Sequence, residues 1–233
     1  GARLVLGSAG ELVDYLPRLL GNERPMTYLL ALHATDELRP SGGLLKQMLL
    51  LHLDQGVPTV QFVRLNDASV TGAWDWVESG RRIVPPQPLE RYMGIGAWVM
   101  TDANWWLDYG DTAHQIRSFW ETVGCTPIDG VISINDEAVS TLLNAMGGVQ
   151  LSNGQQLTGD DIKDYVIQQF YVGEDWTWIS RQAQVGANLA ETVINTLITL
   201  PPERLPNLLV AALSELQSRD ITISLDDADI API

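Results

Sequence analysis

The sequence predicts an α/β fold of three layers, a central mixed sheet covered on both faces by helices (αβα). Two observations carry this expectation. Apolar runs of strand length lie close together near the front of the chain, and through the middle such runs alternate with stretches of helical periodicity. Composition agrees with a single domain over residues 1–233. The 233 residues are enough for one large domain, 45% of them are hydrophobic, and no internal repeat or low-complexity linker divides them.

The opening stretch to Leu20 has Leu12, Val13, Leu16, Leu19 and Leu20 at helical spacing, with Pro17 inside it and Gly21 as a stop. "MTYLLALHA" predicts a buried strand, "LLKQMLLLHLD" a second, and "PTVQFVRL" a third. Asp67 to Pro88 shows no clear period and is expected to be an irregular insertion. At about 20 residues it is long for a structureless loop, and such loops are often functional. "GIGAWVM" predicts a short strand and "TDANWWLDYGD" a loop.

Asp111 is the expected cap of a helix carrying Ala113, Ile116, Phe119, Trp120 and Val123 on one face. "IDGVISIN" is a strand. Asn135 caps the next helix, which Gly147 and Gly148 stop. "VQL" is a short strand, and Thr158 with Asp161 opens a helix running to about Tyr171. A long helix follows from about Ile179 to Leu200. Another starts at "PPE" and ends near Arg219, and "ITISL" is the last strand.

Acids outnumber bases 29 to 14, a net charge of −15, with no basic stripe. A nucleic-acid partner is not expected. Only Lys46 and Lys163 are lysines, and this lysine-poor, aspartate-rich composition predicts a secreted protein. Cys125 is the sole cysteine, so no intrachain disulfide forms. Its "VGCTP" setting fits an inert small residue better than a catalytic thiol. No run reaches about 18 apolar residues, as a transmembrane helix would need. "GARLVLG" has no signal-peptide pattern. The abrupt start suggests a piece of a longer protein, anchored in a membrane by a segment absent from this chain.

Three constellations stand out. Asp36, Glu37 and Arg39 sit in a charged turn closed by Gly42 and Gly43. An arginine fork suits phosphate oxygens, glycines let amides approach an anion, and acids hold divalent cations. An Arg–acid pair kept for solubility explains the same residues. Arg181 and Gln182 open the long helix, where an anion is favoured, or they are simply an exposed helix start. The "TDANWW" loop holds Asp102, Asn104, Trp105 and Trp106 and, with Trp176 and other loop tryptophans, suits sugar stacking or a lipid groove. Closing the ends of the core is the alternative. His33, His52 and His114 lack metal-ligand spacing, and each is expected to be a hydrogen-bonded structural residue. No nucleophile elbow, P-loop or dinucleotide fingerprint occurs.

"IDGVISINDEAVSTLLNAMGGVQL", then "GQQLTGDDIKDYV" and "SRQAQVGANLAETVI", resemble in order and spacing the second half of the LytR-CpsA-Psr domain. "YLLALHATDELRPSGGLLKQMLLLHLD" resembles that family's opening hairpin. The Glu-Leu-Arg-x-x-Gly-Gly turn and the "ANW" loop look closer still to a bacterial group of unknown function related to it. The resemblance covers about residues 10 to 225 and implies a LytR-CpsA-Psr-like fold. It also implies an extracellular domain at the cell envelope that moves glycan phosphate from a polyprenyl-pyrophosphate carrier to a cell-wall glycan, with magnesium.

The motifs carry over in part. The family's Asp-x-Arg falls on Glu37 and Arg39. Its Arg-Thr-Asp falls on Leu44, Leu45 and Lys46, so a cation stands where a metal-binding acid is expected. Its Pro-Arg-Asp falls on Leu65, Asn66 and Asp67, which keeps only the acid. Its Arg-Gln is retained as Arg181 and Gln182. The resemblance thus implies phosphate binding by Arg39, Lys46, Arg181 and Gln182, and metal binding or base catalysis by Glu37 and Asp67, at a degraded metal site. Three functions stay open: an envelope phosphotransferase, a non-catalytic surface module binding a lipid-linked or glycan ligand, and a structural surface domain.

Overall fold

The computed structural model describes residues 3–6, 16–63, 83–122, 126–170 and 178–226. Six strands form one mixed sheet in the order β1-β8-β5-β2-β3-β4. They are β1 (Arg3–Leu6), β2 (Met26–Ala34), β3 (Leu44–Asp54), β4 (Val57–Val63), β5 (Gly130–Asn135) and β8 (Ile221–Asp226). A separate two-stranded ribbon joins β6 (Val149–Gln150) to β7 (Gln156–Leu157). Among the described strand pairs of the sheet only β2–β5 is parallel. The helices are α1 (Gln87–Met93), α2 (Tyr109–Thr122), α3 (Asp136–Met146), α4 (Gly159–Phe170), α5 (Trp178–Ile198) and α6 (Leu205–Ser218).

Period-two alternation divides the sheet into two dry faces. Leu29, Ala31, Leu50 and Val131 pack against Ala113, Ile116, Phe119 and Trp120 of α2. Tyr28, Ile132, Ile223 and Leu225 point the other way, against Ala138 of α3 and Leu216 of α6. A third cluster, with Leu143, Met146, Leu157 and Ile162, joins α3, α4 and the ribbon to α5. The strands β2 and β5 contribute to both faces, which is why their sequences are apolar nearly throughout.

Of the opening stretch expected to be helical, residues 7–15, with Leu12 and Val13, lie outside the described residues. Arg3–Leu6 pairs antiparallel with β8, Arg3 opposite Asp226, and a helical turn occurs at Leu16–Leu19. The far end of the chain supplies the partner that makes Arg3–Leu6 a strand, and no local signal reports that. "GIGAWVM" is not a strand either. Gly94, at φ +68°, ends α1, and Met100–Asp102 is a 3-10 turn. Within the expected irregular insertion, residues 64–82 lie outside the described residues. Beyond them α1 forms, with proline in its first turn, where its missing N–H costs nothing. Asp108 rather than Asp111 caps α2, its carboxylate accepting the Asp111 amide at 3.2 Å.

Elsewhere local chemistry sets the ends. The Asn135 side chain accepts the Ala138 amide at 2.9 Å to start α3, and Gly147 at φ +87° ends it. Asp161 accepts both the amide and the hydroxyl of Thr158 ahead of α4.

Candidate functional site

The site lies at the carboxyl ends of β2 and β5. Chain connections leave this parallel pair in opposite directions, β2 toward β3 and β5 through α3 toward the other side of the sheet. Crevices of open α/β sheets form at such switch points. The turn 35–43 leaves β2 here, and segment 100–108 runs beside it.

The turn is bound on both flanks. On one side the Thr35 amide donates to Asp136 Oδ1 at 3.0 Å, and Lys163 sits 3.3 Å from the same carboxylate. Burial alone would raise the Asp136 carboxyl, but bonds from Thr35 and Lys163 outweigh it and hold it below its ordinary value. On the other side Arg39 Nη2 meets Asp102 Oδ1 at 3.0 Å, with side chains only 11% and 9% exposed. Arg39 Nη1 donates to the Leu38 carbonyl, and its Nε is buried without a partner among the described residues. Ser41 donates to the Asn104 carbonyl at 3.0 Å and lies 3.2 Å from the Thr112 hydroxyl. The Asn104 amide nitrogen donates to the Gly43 carbonyl and reaches His33 Nδ1 at 3.0 Å.

His33 lies beneath this seam, 4% exposed, its Nε2 3.0 Å from the Ser133 hydroxyl. His33 Nδ1 also lies 3.1 Å from the Gly43 carbonyl, which can only accept, so Nδ1 carries the proton toward it and Nε2 accepts from the Ser133 hydroxyl. Burial pushes the imidazole down to about 4.

A register shift between Leu32 and His33 leaves Lys46 as the extra residue of β3. Such a bulge redirects one side chain without turning the rest of the strand over. Lys46 is thereby aimed outward, where it pairs with Glu37, the two side chains 45% and 47% exposed. Next to it, a Cβ on buried Gly186 of α5 would run into the amide of Gln47. The helix backbone therefore lies close over this end of β3, and α5 also packs on β4. Arg181 and Gln182 stand in the first turns of α5, ahead of Gly186. Their side chains, like Asp67 and Trp176, lie outside the described residues.

In the described loop, Asp102 and Asn104 are buried in structural bonds and Trp105 is half-buried. Trp106 is 38% exposed, and its ring stands edge-on to Trp98 at 6.5 Å. Trp98 donates to the Asp102 carbonyl at 2.9 Å and packs edge-on to Phe119.

Thus Glu37, Arg39 and Lys46 occur together, and Asp102 and Asn104 join them as partners of the turn. Sequence spacing separates Arg39 from Asp102 by 63 positions, so their pairing had no local signal. The roles of Ser133 and Ser41 were also missed. A serine interrupting the apolar run "VISIN" was the one available clue. Of the acids expected to hold a metal, Glu37 faces Lys46 and Asp67 lies outside the described residues, while Asp102 faces Arg39. Among the described residues no group of three or more His, Cys, Asp or Glu could hold a metal. No helix among them is long and apolar enough to cross a membrane.

No curated protein matches the chain. Among solved structures it is similar to a LytR-Csp2A-Psr enzyme from Actinomyces oris. The identity is 11% and the TM-score 0.48, with 88% of this chain and 71% of that one covered. It is similar to TagV of B. subtilis at 10% identity and TM-score 0.47, covering 84% and 79%. It is also similar to TagT bound to LI-WTA, at 12% identity and TM-score 0.43, covering 87% and 70%. The family described as "Protein of unknown function (DUF4012)" matches residues 23–171, more than half of the chain. The chain belongs to the DUF4012 family.

Proposed function

We propose that this protein is a cell-envelope module that binds a diphosphate-bearing carrier, of the polyprenyl-pyrophosphate-linked glycan class, without a resident metal. The observation that carries the reading is the approach of α5 to β3 at Gly186 and Gln47, beside Lys46. This approach supports pairing the opening hairpin with the Arg181-Gln182 helix start, the two stretches whose residues resemble pyrophosphate-binding motifs. Lys46 and Arg181 are the cations available to a diphosphate on this reading, with the N-terminal turn of α5 adding its dipole. Arg39 braces the turn through Asp102, and Trp106 borders the ligand.

Glu37 is the acid that the diphosphate displaces from Lys46. A half-exposed ion pair is worth only about 0–1 kcal/mol, so the exchange costs little. Binding without turnover is favoured over transfer because Glu37 is occupied by Lys46 and Arg39 by Asp102. Phosphoryl transfer relies on positioned cations around the phosphates, and this arrangement neutralises two before the ligand arrives.

A substitution series tests the assignment with a polyprenyl pyrophosphate of short chain. Lys46→Ala and Arg181→Ala should each weaken binding about tenfold, the scale of a charge-assisted contact of about 1.4 kcal/mol. Glu37→Gln should strengthen it by removing the competitor. Affinity indifferent to all three rejects the site.

A further inference from the structure

Two loop tips beside the seam present apolar side chains to solvent. Leu38 of the 35–43 turn is 89% exposed, and Leu107 of the 100–108 segment is 86% exposed. Pro40 and Trp106 are exposed next to them. The tips are fastened to each other. Arg39 bonds Asp102, and Ser41 bonds the Asn104 carbonyl and meets the Thr112 hydroxyl, which itself donates to the Trp106 carbonyl. Leu38 and Leu107 therefore belong to one braced edge rather than to two independent loops.

The charged groups of the two tips are engaged elsewhere. Arg39 and Asp102 face each other, nearly buried. Asp108 accepts the Asp111 amide at the start of α2, and Glu37 pairs with Lys46. What protrudes is leucine, proline, tryptophan and leucine. A protein partner needs a broad contiguous patch, whereas a bilayer takes up protruding apolar side chains one by one. A tryptophan beside them suits the boundary between headgroups and acyl chains, where its ring is apolar and its N–H is wet.

We propose that this edge docks on a lipid bilayer, with Leu38 and Leu107 entering the acyl boundary and Trp106 lying at headgroup level. The choice of a bilayer rests on the proposed function, since a diphosphate on a polyprenyl chain is held in one. Glu37, the partner of Lys46, is the residue before Leu38, so docking brings that cation toward the headgroups where such a diphosphate lies. Charge selects the lipid. Asp36, Glu37, Asp108 and Asp111 are exposed around the edge against Lys46, and the chain carries −15 overall. Neutral headgroups are therefore favoured over anionic ones. Two leucines and part of an indole give a weak, reversible attachment, comparable to a single acyl chain.

The test is flotation of the purified protein with phosphatidylcholine vesicles that hold no diphosphate. Carrier binding is measured separately without vesicles, so the failure of either reading is distinguishable from that of the other. The unmodified protein should float, and less of it should float when phosphatidylglycerol is added at low salt. Leu38→Ser and Leu107→Ser should each lower the partition coefficient about tenfold, and the double variant should stay unbound. Both side chains are so exposed that thermal midpoints should not move. Leu209→Ser, at an exposed leucine of α6, should float like the unmodified protein. Absence of flotation overturns the proposal, as does flotation that the double variant retains, an equal loss in Leu209→Ser, or tighter binding to the anionic vesicles. Self-association abolished by the double variant, without flotation, assigns the edge to a second copy of the chain and also overturns it.

Discussion

Gly43 has φ +107°, and a Cβ there would run into the Ala34 carbonyl. Two faults coincide at this position, a left-handed backbone and a backbone collision. Gly43→Ala should therefore destabilise by more than about 2 kcal/mol in urea denaturation. Ion pairs nearby divide by burial. Asp102→Asn leaves Arg39 charged and nearly buried, an expected loss of about 3 kcal/mol. Glu37→Gln, at a half-exposed pair, should change stability by less than about 1 kcal/mol. His33 adds a pH dependence. Its folded value of about 4 lies below the unfolded 6.5, so between them the unfolded state binds more protons. Stability is complete above about pH 6.5 and falls by about 3 kcal/mol as pH drops to about 4. Denaturation midpoints at the two ends of that window measure it, and His33→Gln should flatten the curve.

At the scale of elements, what the sequence makes legible is what local chemistry controls. The ends of α3 follow from Asn135 and Gly147, and Asn135→Ala should cost about 1 kcal/mol of thermal stability through the lost cap. The bounds of β2 and β3 follow from their apolar runs and the glycines between them. Where no local signal exists, some readings failed and one helix went unassigned. Arg3–Leu6 becomes a strand only because β8 lies beside it. The short helix α1 hides among prolines that also suit a loop, and "GIGAWVM" has strand-like residues but Gly94 closing a helix ahead of it. The Lys46 bulge was equally invisible, since a single extra residue leaves the strand's composition unchanged.

Across the whole molecule, the candidate site assembles from segments far apart in sequence: the hairpin turn, the 100–108 segment and β5. Sequence marked most of these residues as polar groups in an apolar setting. It did not reveal that the turn's arginine is bonded to an aspartate of the tryptophan-rich loop, or that a histidine lies under both. Those partnerships come from the sheet order, which carries β2 and β5 side by side. The same order brings α5 over Gln47, and the central claim rests on that approach. The most direct measurement is calorimetric binding of a polyprenyl pyrophosphate to the purified protein, with and without magnesium, followed by assay of phosphate release. Binding of similar affinity is expected in both conditions, weakened by Lys46→Ala, with no release. Binding only with magnesium, or magnesium-dependent release of phosphate, would contradict it.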